Sequence, residues 1–334
     1  MFKVTYLEYH TAIDSLIQNF IKEWYSESKT IECQTSGSTG TPKKISLQKS
    51  HMRHSARMTG NFFDFSPTEK LLLCIHPSTI GGKMQLVRAM EFNMELVVIP
   101  PTRNPFKYIT IPIYFCSLVP LQIKSIFNES PHKLNLFKNI LLGGAPVGSD
   151  LKHEFQSYST KFFEGFGMTE TISHIALKNL SENQEIFTTL SSYTINEQEG
   201  KLIINAPELG VHNLLTNDLI KSTSSTTFEW IGRSDFTINS GGYKFQPEQL
   251  EQLLAPHISS LFFFTKEPDA TYGEKVVLII EKTNNHQDEI LLNNICKREL
   301  PPYAQPKMIK YIDKIYTTPS GKINRTETLN KLIF

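Results

Sequence analysis

The sequence predicts an α/β protein: a large N-terminal domain built on a mostly parallel, helix-covered sheet plus small antiparallel sheets, followed by a small α+β C-terminal domain. Three observations carry this prediction. Up to about Ile175, short apolar runs alternate with glycine turns and helical patterns. Beyond it the runs become short and alternate in polarity, separated by Ser, Thr, Asn and Glu. The segment 232–251 then ends in the first helix of a separate C-terminal module of about 100 residues, an ordinary small-domain size.

In chain order, Ile13, Leu16, Ile17, Phe20, Ile21 and Trp24 recur at helical spacing over residues 11–24. A second helix is expected over 47–63 and a buried strand over 71–75, followed by Gly81-Gly82 and a helix carrying Arg88. Residues 96–99 read as a strand closed by Pro100-Pro101, 113–118 as another, and 123–127 as helical. The run 139–142 enters GGAPVG at 143–148, after which a helix and a strand are expected to lead into FFEGFGMTET at 162–171. Such an alternation puts ligands at the carboxyl ends of the strands. Strands at 201–205 and 227–231 are expected to be antiparallel, and 261–264 and 276–280 to be strands of the C-terminal module. That module ends in TPSGKINR, a turn-rich loop exposing Lys322. The expected division is 1–234 and 235–334.

Of the 334 residues, 40% are hydrophobic and 20% charged, with net charge +1, so a folded chain is expected. There is no basic excess to suit nucleic acid or an anionic membrane. Cys33, Cys74, Cys116 and Cys296 form no C-x-x-C pair, which disfavours zinc or a disulfide framework and predicts a reducing, cytoplasmic setting. No stretch approaches the roughly 18 apolar residues of a membrane span. Small-molecule partners are expected, and homo-oligomerisation is left open.

The stretch QTSGSTGTPKK, residues 34–44, concentrates Gly37 and Gly40, five hydroxyl side chains, Lys43 and Lys44. Glycines let N–H groups turn toward an anion, hydroxyls add donors and lysines add charge, so the composition suits phosphate. A P-loop would need its second glycine at Pro42, so the kinase pattern fails. A plain polar turn is the alternative on composition alone.

Four motifs in one order, TSGSTGTPK, GFGMTE, GRSDFTINSGG and PSGKINR, resemble the adenylate-forming superfamily of acyl-CoA synthetases, luciferases and peptide-synthetase adenylation domains. LLTNDL resembles a fifth, with Asn217 in place of a glycine, and Phe166 stands where a tyrosine is usual. The resemblance implies an acid:thiol ligase using ATP, magnesium and coenzyme A. By it, Thr35, Ser36, Ser38, Thr39 and Lys43 hold the β- and γ-phosphates, Glu170 holds magnesium, and Thr169 meets the α-phosphate. Asp218 binds ribose, Arg233 ribose or phosphate, and Gly144, Ala145 and Phe166 border adenine. Lys322 carries adenylation, Asp235 is the hinge of a mobile C-terminal lid, and Gly241 and Gly242 line the thiol's access.

Relatives carry a further subdomain before the phosphate loop. Here about 30 residues precede it, too few for a domain, so a compact lineage or a covering partner chain is expected. GMTETISHIALKNLS and SGGYKFQPEQLE resemble the o-succinylbenzoate:CoA ligases of menaquinone biosynthesis. Thr79, Gly82, Arg88 and His174 would then line the acid's pocket, with Arg88 facing the carboxylate that does not react. Thr79 stands where a histidine is usual, with His76 three residues earlier. Arg88 capping its helix or pairing with Glu91 is the competing assignment. Another aryl- or acyl-CoA synthetase, an adenylation enzyme loading a carrier-protein thiol, and a non-catalytic nucleotide-binding subunit are the competing functions.

Overall fold

The computed structural model describes residues 2–34, 43–148, 151, 153–190, 192–282, 289–318 and 322–332. Its centre is a twelve-stranded sheet. Lys3–Tyr6, Glu95–Val98, Lys70–Leu73, Ile113–Leu118, Phe137–Leu142 and Lys161–Gly167 run parallel in that spatial order. His174–Asn179 then pairs antiparallel with Lys161–Gly167, and Phe187–Thr189, Thr227–Arg233, Val211–Ser222, Lys201–Ala206 and Thr194–Gln198 continue antiparallel.

The parallel strands are apolar on both faces because both are covered. Leu71, Leu73, Leu96 and Val98 enter one core with Ile17, Phe20 and Trp24 of the helix Thr11–Trp24. Leu72, Val97 and Cys116 enter the opposite core with Ile123 and Ile126 of Pro120–Glu129. The period of two sends neighbouring residues to opposite faces, and each buried aliphatic side chain contributes about 1.5–3 kcal/mol of transfer free energy. Leu16, expected in the stripe of the first helix, lies at its flank and remains 37% exposed.

Two expectations are corrected. The second helix begins at Lys49, because Lys44–Gln48 is a strand paired antiparallel with Thr30–Gln34. Between Gly148 and Lys161 the described residues contain no α-helix; Leu151 and Glu154–Gln156 are in 3-10 turns. Phe155 packs against Phe127 and Phe162, and the Thr160 hydroxyl is engaged by distant backbone. Thr160 Oγ1 bonds the carbonyls of Leu134 and Phe137.

From Ile238 onward the chain builds its own sheet, in the order Tyr243–Phe245, Ile238–Ser240, Gly273–Glu281, Phe262–Asp269, with Met308–Ile312 parallel to Gly273–Glu281. Two apolar clusters made entirely of residues from this part cover it. No helix among the described residues is long and apolar enough to cross a membrane.

Candidate active site

The site forms where the large sheet changes direction. Gly167 ends the last parallel strand, and the chain reverses over Met168–Ser173 to enter the antiparallel His174–Asn179. A Cβ on Gly167 would stand 2.1 Å from the Ser173 carbonyl oxygen, so only glycine allows the reversal. Thr171 Oγ1 accepts from the Met168 N–H at 3.0 Å, and the Ile172 N–H donates to the Thr169 carbonyl at 2.9 Å. Ile172 is buried with φ +67°, a left-handed conformation that costs a β-branched residue about 1–3 kcal/mol. Burying its side chain offsets that strain and leaves Glu170 exposed at the crest, with Thr169 beneath it.

Asp218 and Arg233 face one another across paired strands. The Asp218 carboxylate is buried, accepts from Trp230 Nε1 at 2.9 Å on Oδ1, and lies 3.7 Å from Arg233 Nη1 on Oδ2. Burial raises its pKa; Trp230, Arg233 and Lys322 oppose the rise. Arg233 also donates to Asp235 Oδ2 at 2.9 Å. Asn217, at the position of the usual glycine, lies within Val211–Ser222 without a positive φ, and its carbonyl accepts from Ser234 Oγ at 3.2 Å.

Lys322 reaches this group from the C-terminal part. Its N–H donates to Thr318 Oγ1 at 3.2 Å, its carbonyl accepts from the Thr318 N–H at 2.8 Å, and Thr317 bridges to Ile323. The residue is half-buried rather than exposed in a turn as the sequence implied. Desolvation lowers its pKa, with Arg233 adding to the fall and Asp218 and Glu170 resisting it. Lys322 thus lies within electrostatic reach of Asp218, Arg233 and Glu170.

Arg88 is fully buried on Ile80–Glu91. Its Nη2 donates to Ser173 Oγ at 2.8 Å and its Nη1 to Gln85 Oε1 at 3.4 Å. Nε has no partner among the described residues, and the guanidinium lies 6.0 Å from the centre of the Phe115 ring. Glu91 is engaged elsewhere, by Arg53 at 3.0 Å and Arg57 at 2.6 Å. Burial pushes the Arg88 pKa down to about 9, which leaves it charged at neutral pH.

His174 is buried beside it. Thr59 Oγ1 donates to the Ser55 carbonyl, so it accepts from His174 Nε2 at 3.2 Å; Nδ1, 3.3 Å from Ser173 Oγ, is then the acceptor. Burial, with the Arg88 charge, holds this imidazole well below its ordinary range and therefore neutral.

Thr79 caps the helix: its Oγ1 accepts from the Gly82 N–H at 3.2 Å and donates to the His76 carbonyl at 2.7 Å. A Cβ on Gly82 would stand 2.3 Å from that carbonyl. These two residues therefore shape the entry to the helix that carries Arg88. Gly144 is exposed with φ +89°, Ala145 is half-buried, and Phe166 packs edge-on to Phe228 at 5.2 Å. Gly241 and Gly242, with φ +60° and +82°, form the two-residue turn between Ile238–Ser240 and Tyr243–Phe245.

Thr35, Ser36, Ser38 and Thr39 lie outside the described residues; the strands on either side of them pair Gln34 with Lys44. Lys43 precedes the second of these strands. Ser173, Thr59, Gln85 and Trp230 were not singled out from the sequence. Ser173 lies inside the motif that was read, whereas Trp230 meets Asp218 only through strand register, which no spacing reveals. Among the described residues no three His, Cys, Asp or Glu side chains could hold a metal ion. One exposed carboxylate beside a cationic cluster suits a magnesium ion that takes its remaining oxygens from phosphate and water.

Residues 31–195 match the family described as AMP-binding enzyme. The chain is 33% identical to an acyl-CoA synthetase (AMP-forming)/AMP-acid ligase II-like protein from Dyadobacter fermentans, covering 97% of this chain and 95% of that one, with a TM-score of 0.63. It is 20% identical to the O-succinylbenzoate coenzyme A synthetase of Bacillus subtilis solved with ATP and magnesium ion, covering 89% and 69%, with a TM-score of 0.78. It is 23% identical to the 2-succinylbenzoate–CoA ligase of Haemophilus influenzae over 74% of this chain and 58% of that one. The corresponding Escherichia coli ligase is 23% identical, over 81% and 62%. The chain thus spans about 60% of the length of these two curated relatives.

Proposed function

This chain belongs to the AMP-binding enzymes, and from that premise we propose that it is an AMP-forming acid:CoA ligase acting on o-succinylbenzoate. The observation that carries the ligase reading is a half-buried Lys322 within electrostatic reach of Asp218, Arg233 and Glu170. In the first half-reaction a carboxylate oxygen attacks the α-phosphorus of ATP and pyrophosphate leaves. The two reactants are anions, so what is required is charge neutralisation and alignment. The Lys322 ammonium meets the attacking carboxylate and the α-phosphate, Asp218 holds the ribose hydroxyls, and Arg233 the ribose or phosphate. Lys43, with the loop before it, holds the β- and γ-phosphates.

Magnesium, held through Glu170, would neutralise charge on the phosphates when bound. In the second half-reaction the coenzyme A thiolate attacks the acyl carbon and AMP leaves with the bonding pair. We take residues 235–334 as the lid that carries Lys322 out through a hinge at Asp235, opening access past Gly241 and Gly242.

The choice of acid rests on Arg88. A buried cation without a carboxylate partner in the described residues is costly, and the spare carboxylate of a dicarboxylic substrate would relieve it. The names of these relatives point to the same acid. The test is to mix protein, ATP, magnesium, coenzyme A and o-succinylbenzoate. AMP, pyrophosphate and the acyl-CoA should form together. Turnover only with a monocarboxylate would remove the substrate assignment, and ADP as the product would remove the reaction.

A further inference from the structure

Glu248, in the first turn of Pro247–Leu254, is used by neither half-reaction above, yet its carboxyl is buried where the C-terminal part meets the large sheet. A Cβ on Gly232 would stand 2.8 Å from Glu248 Oε2 and 3.1 Å from Gln246 Cβ, so the two parts touch because Gly232 has no side chain. Glu248 Oε2 has no hydrogen-bond partner among the described residues. The charged groups facing the carboxyl are Arg233 on the strand Thr227–Arg233, Arg325 at 3.9 Å on the helix Arg325–Leu332, and Glu251 on its own helix.

Arg325 couples this contact to Lys322, three residues before it. Its guanidinium is forked onto Glu251 by Nη1 at 2.7 Å and Nη2 at 2.8 Å, and Nη1 also donates to the Phe264 carbonyl at 3.0 Å. It lies 5.1 Å from the ring centre of Phe236, next to Asp235. A displacement of Glu248 away from Gly232 therefore moves the helix, Arg325 and the Lys322 turn together.

We propose that Glu248 is a positioning residue for Lys322, its buried carboxyl setting how firmly the C-terminal part rests on Gly232 and Arg233 and so how readily Lys322 leaves the site. Resting on the ligase reading, this gives the carboxyl a role in the balance between the two half-reactions. Burial raises the Glu248 pKa from 4.5 to about 7, against the pull of Arg325. The docked orientation binds this proton more tightly than one in which Glu248 meets water. Docking is therefore favoured at low pH and weakens as pH rises from about 4.5 to about 7. A glutamine, neutral throughout, keeps Lys322 docked.

The direct readout is the rate at which an amine-reactive reagent labels Lys322 in the intact, ligand-free protein, as the ratio of wild type to E248Q at each pH. That ratio should rise about tenfold between pH 6 and pH 8. Gly232→Ala, which crowds the same contact, should speed labelling at both. With substrates, E248Q should keep pyrophosphate release and slow transfer of preformed acyl-adenylate to coenzyme A. A ratio independent of pH, or slower labelling in Gly232→Ala, overturns the proposal and leaves the ligase reading intact. A pH-dependent ratio without turnover of any acid supports the latch and removes the ligase reading.

Discussion

The Arg88 guanidinium donates to the Ser173 hydroxyl at 2.8 Å, joining a helix of the parallel half of the sheet to the loop that reverses into the antiparallel half. Because Ser173 also faces His174 Nδ1 at 3.3 Å, the buried cation ends in a neutral chain of hydroxyl and imidazole. Arg88→Met should lower kcat/KM for o-succinylbenzoate by roughly 10- to 100-fold, the value of one or two charged hydrogen bonds. It should leave a monocarboxylic acid nearly untouched. Melting temperature should hold or rise, since a buried unpaired charge is removed. Equal losses with both acids would sink the assignment of Arg88 to the second carboxylate.

Lys322→Ala should reduce acyl-adenylate formation by about 10²–10³-fold, the scale of losing one preorganised charge at the reacting phosphate. Transfer of preformed acyl-adenylate to coenzyme A should persist, because the lysine is no longer needed once pyrophosphate has left. Single-turnover assays of each half-reaction separate the two. Unchanged adenylation would exclude the role given to this residue.

Desolvation lowers the Lys322 pKa from its ordinary 10.5. The ammonium is the competent form, so adenylation should fall on the alkaline side at a lower pH than an exposed lysine would dictate. Lys322→Arg keeps its charge to far higher pH and should carry the alkaline limb upward while lowering the maximum. A pH profile of pyrophosphate release in both proteins decides it; coincident limbs would mean that another group is titrating.

Trp230→Phe removes the donor that favours ionised Asp218. The Asp218 pKa, already raised by burial, should rise further, so ATP binding should weaken first at acid pH. The KM for ATP should increase by roughly 10-fold near neutrality. Isothermal titration with ATP at pH 6 and pH 8 measures both effects, and a loss equal at the two values would contradict this route.

Much of the fold was legible because local physics decides it. The Thr11–Trp24 helix follows from one apolar stripe, and the buried strands from short apolar runs with nowhere to go but a covered sheet. Lys322, Asp218, Glu170 and Arg88 were legible as candidates from residue types held in an ordered set of motifs. The strand Lys44–Gln48 was not, because it takes the first residues of a helical pattern into a hairpin whose partner precedes the loop. Nor was the absence of an α-helix among the described residues before Lys161, where Phe155 is held by an aromatic cluster assembled from distant segments.

By itself the sequence determined the motifs, their order and the local elements, since these depend on side chains a few residues apart. Only the tertiary structure decided that Arg88 has Ser173 rather than Glu91 as its partner, that Trp230 holds Asp218, and that Glu248 lies against Gly232. Each of these depends on strand register or on how one part of the chain docks on another. Docking then sets the environment: Lys322, an ordinary surface lysine by composition, becomes a half-buried, partly desolvated cation within electrostatic reach of two carboxylates.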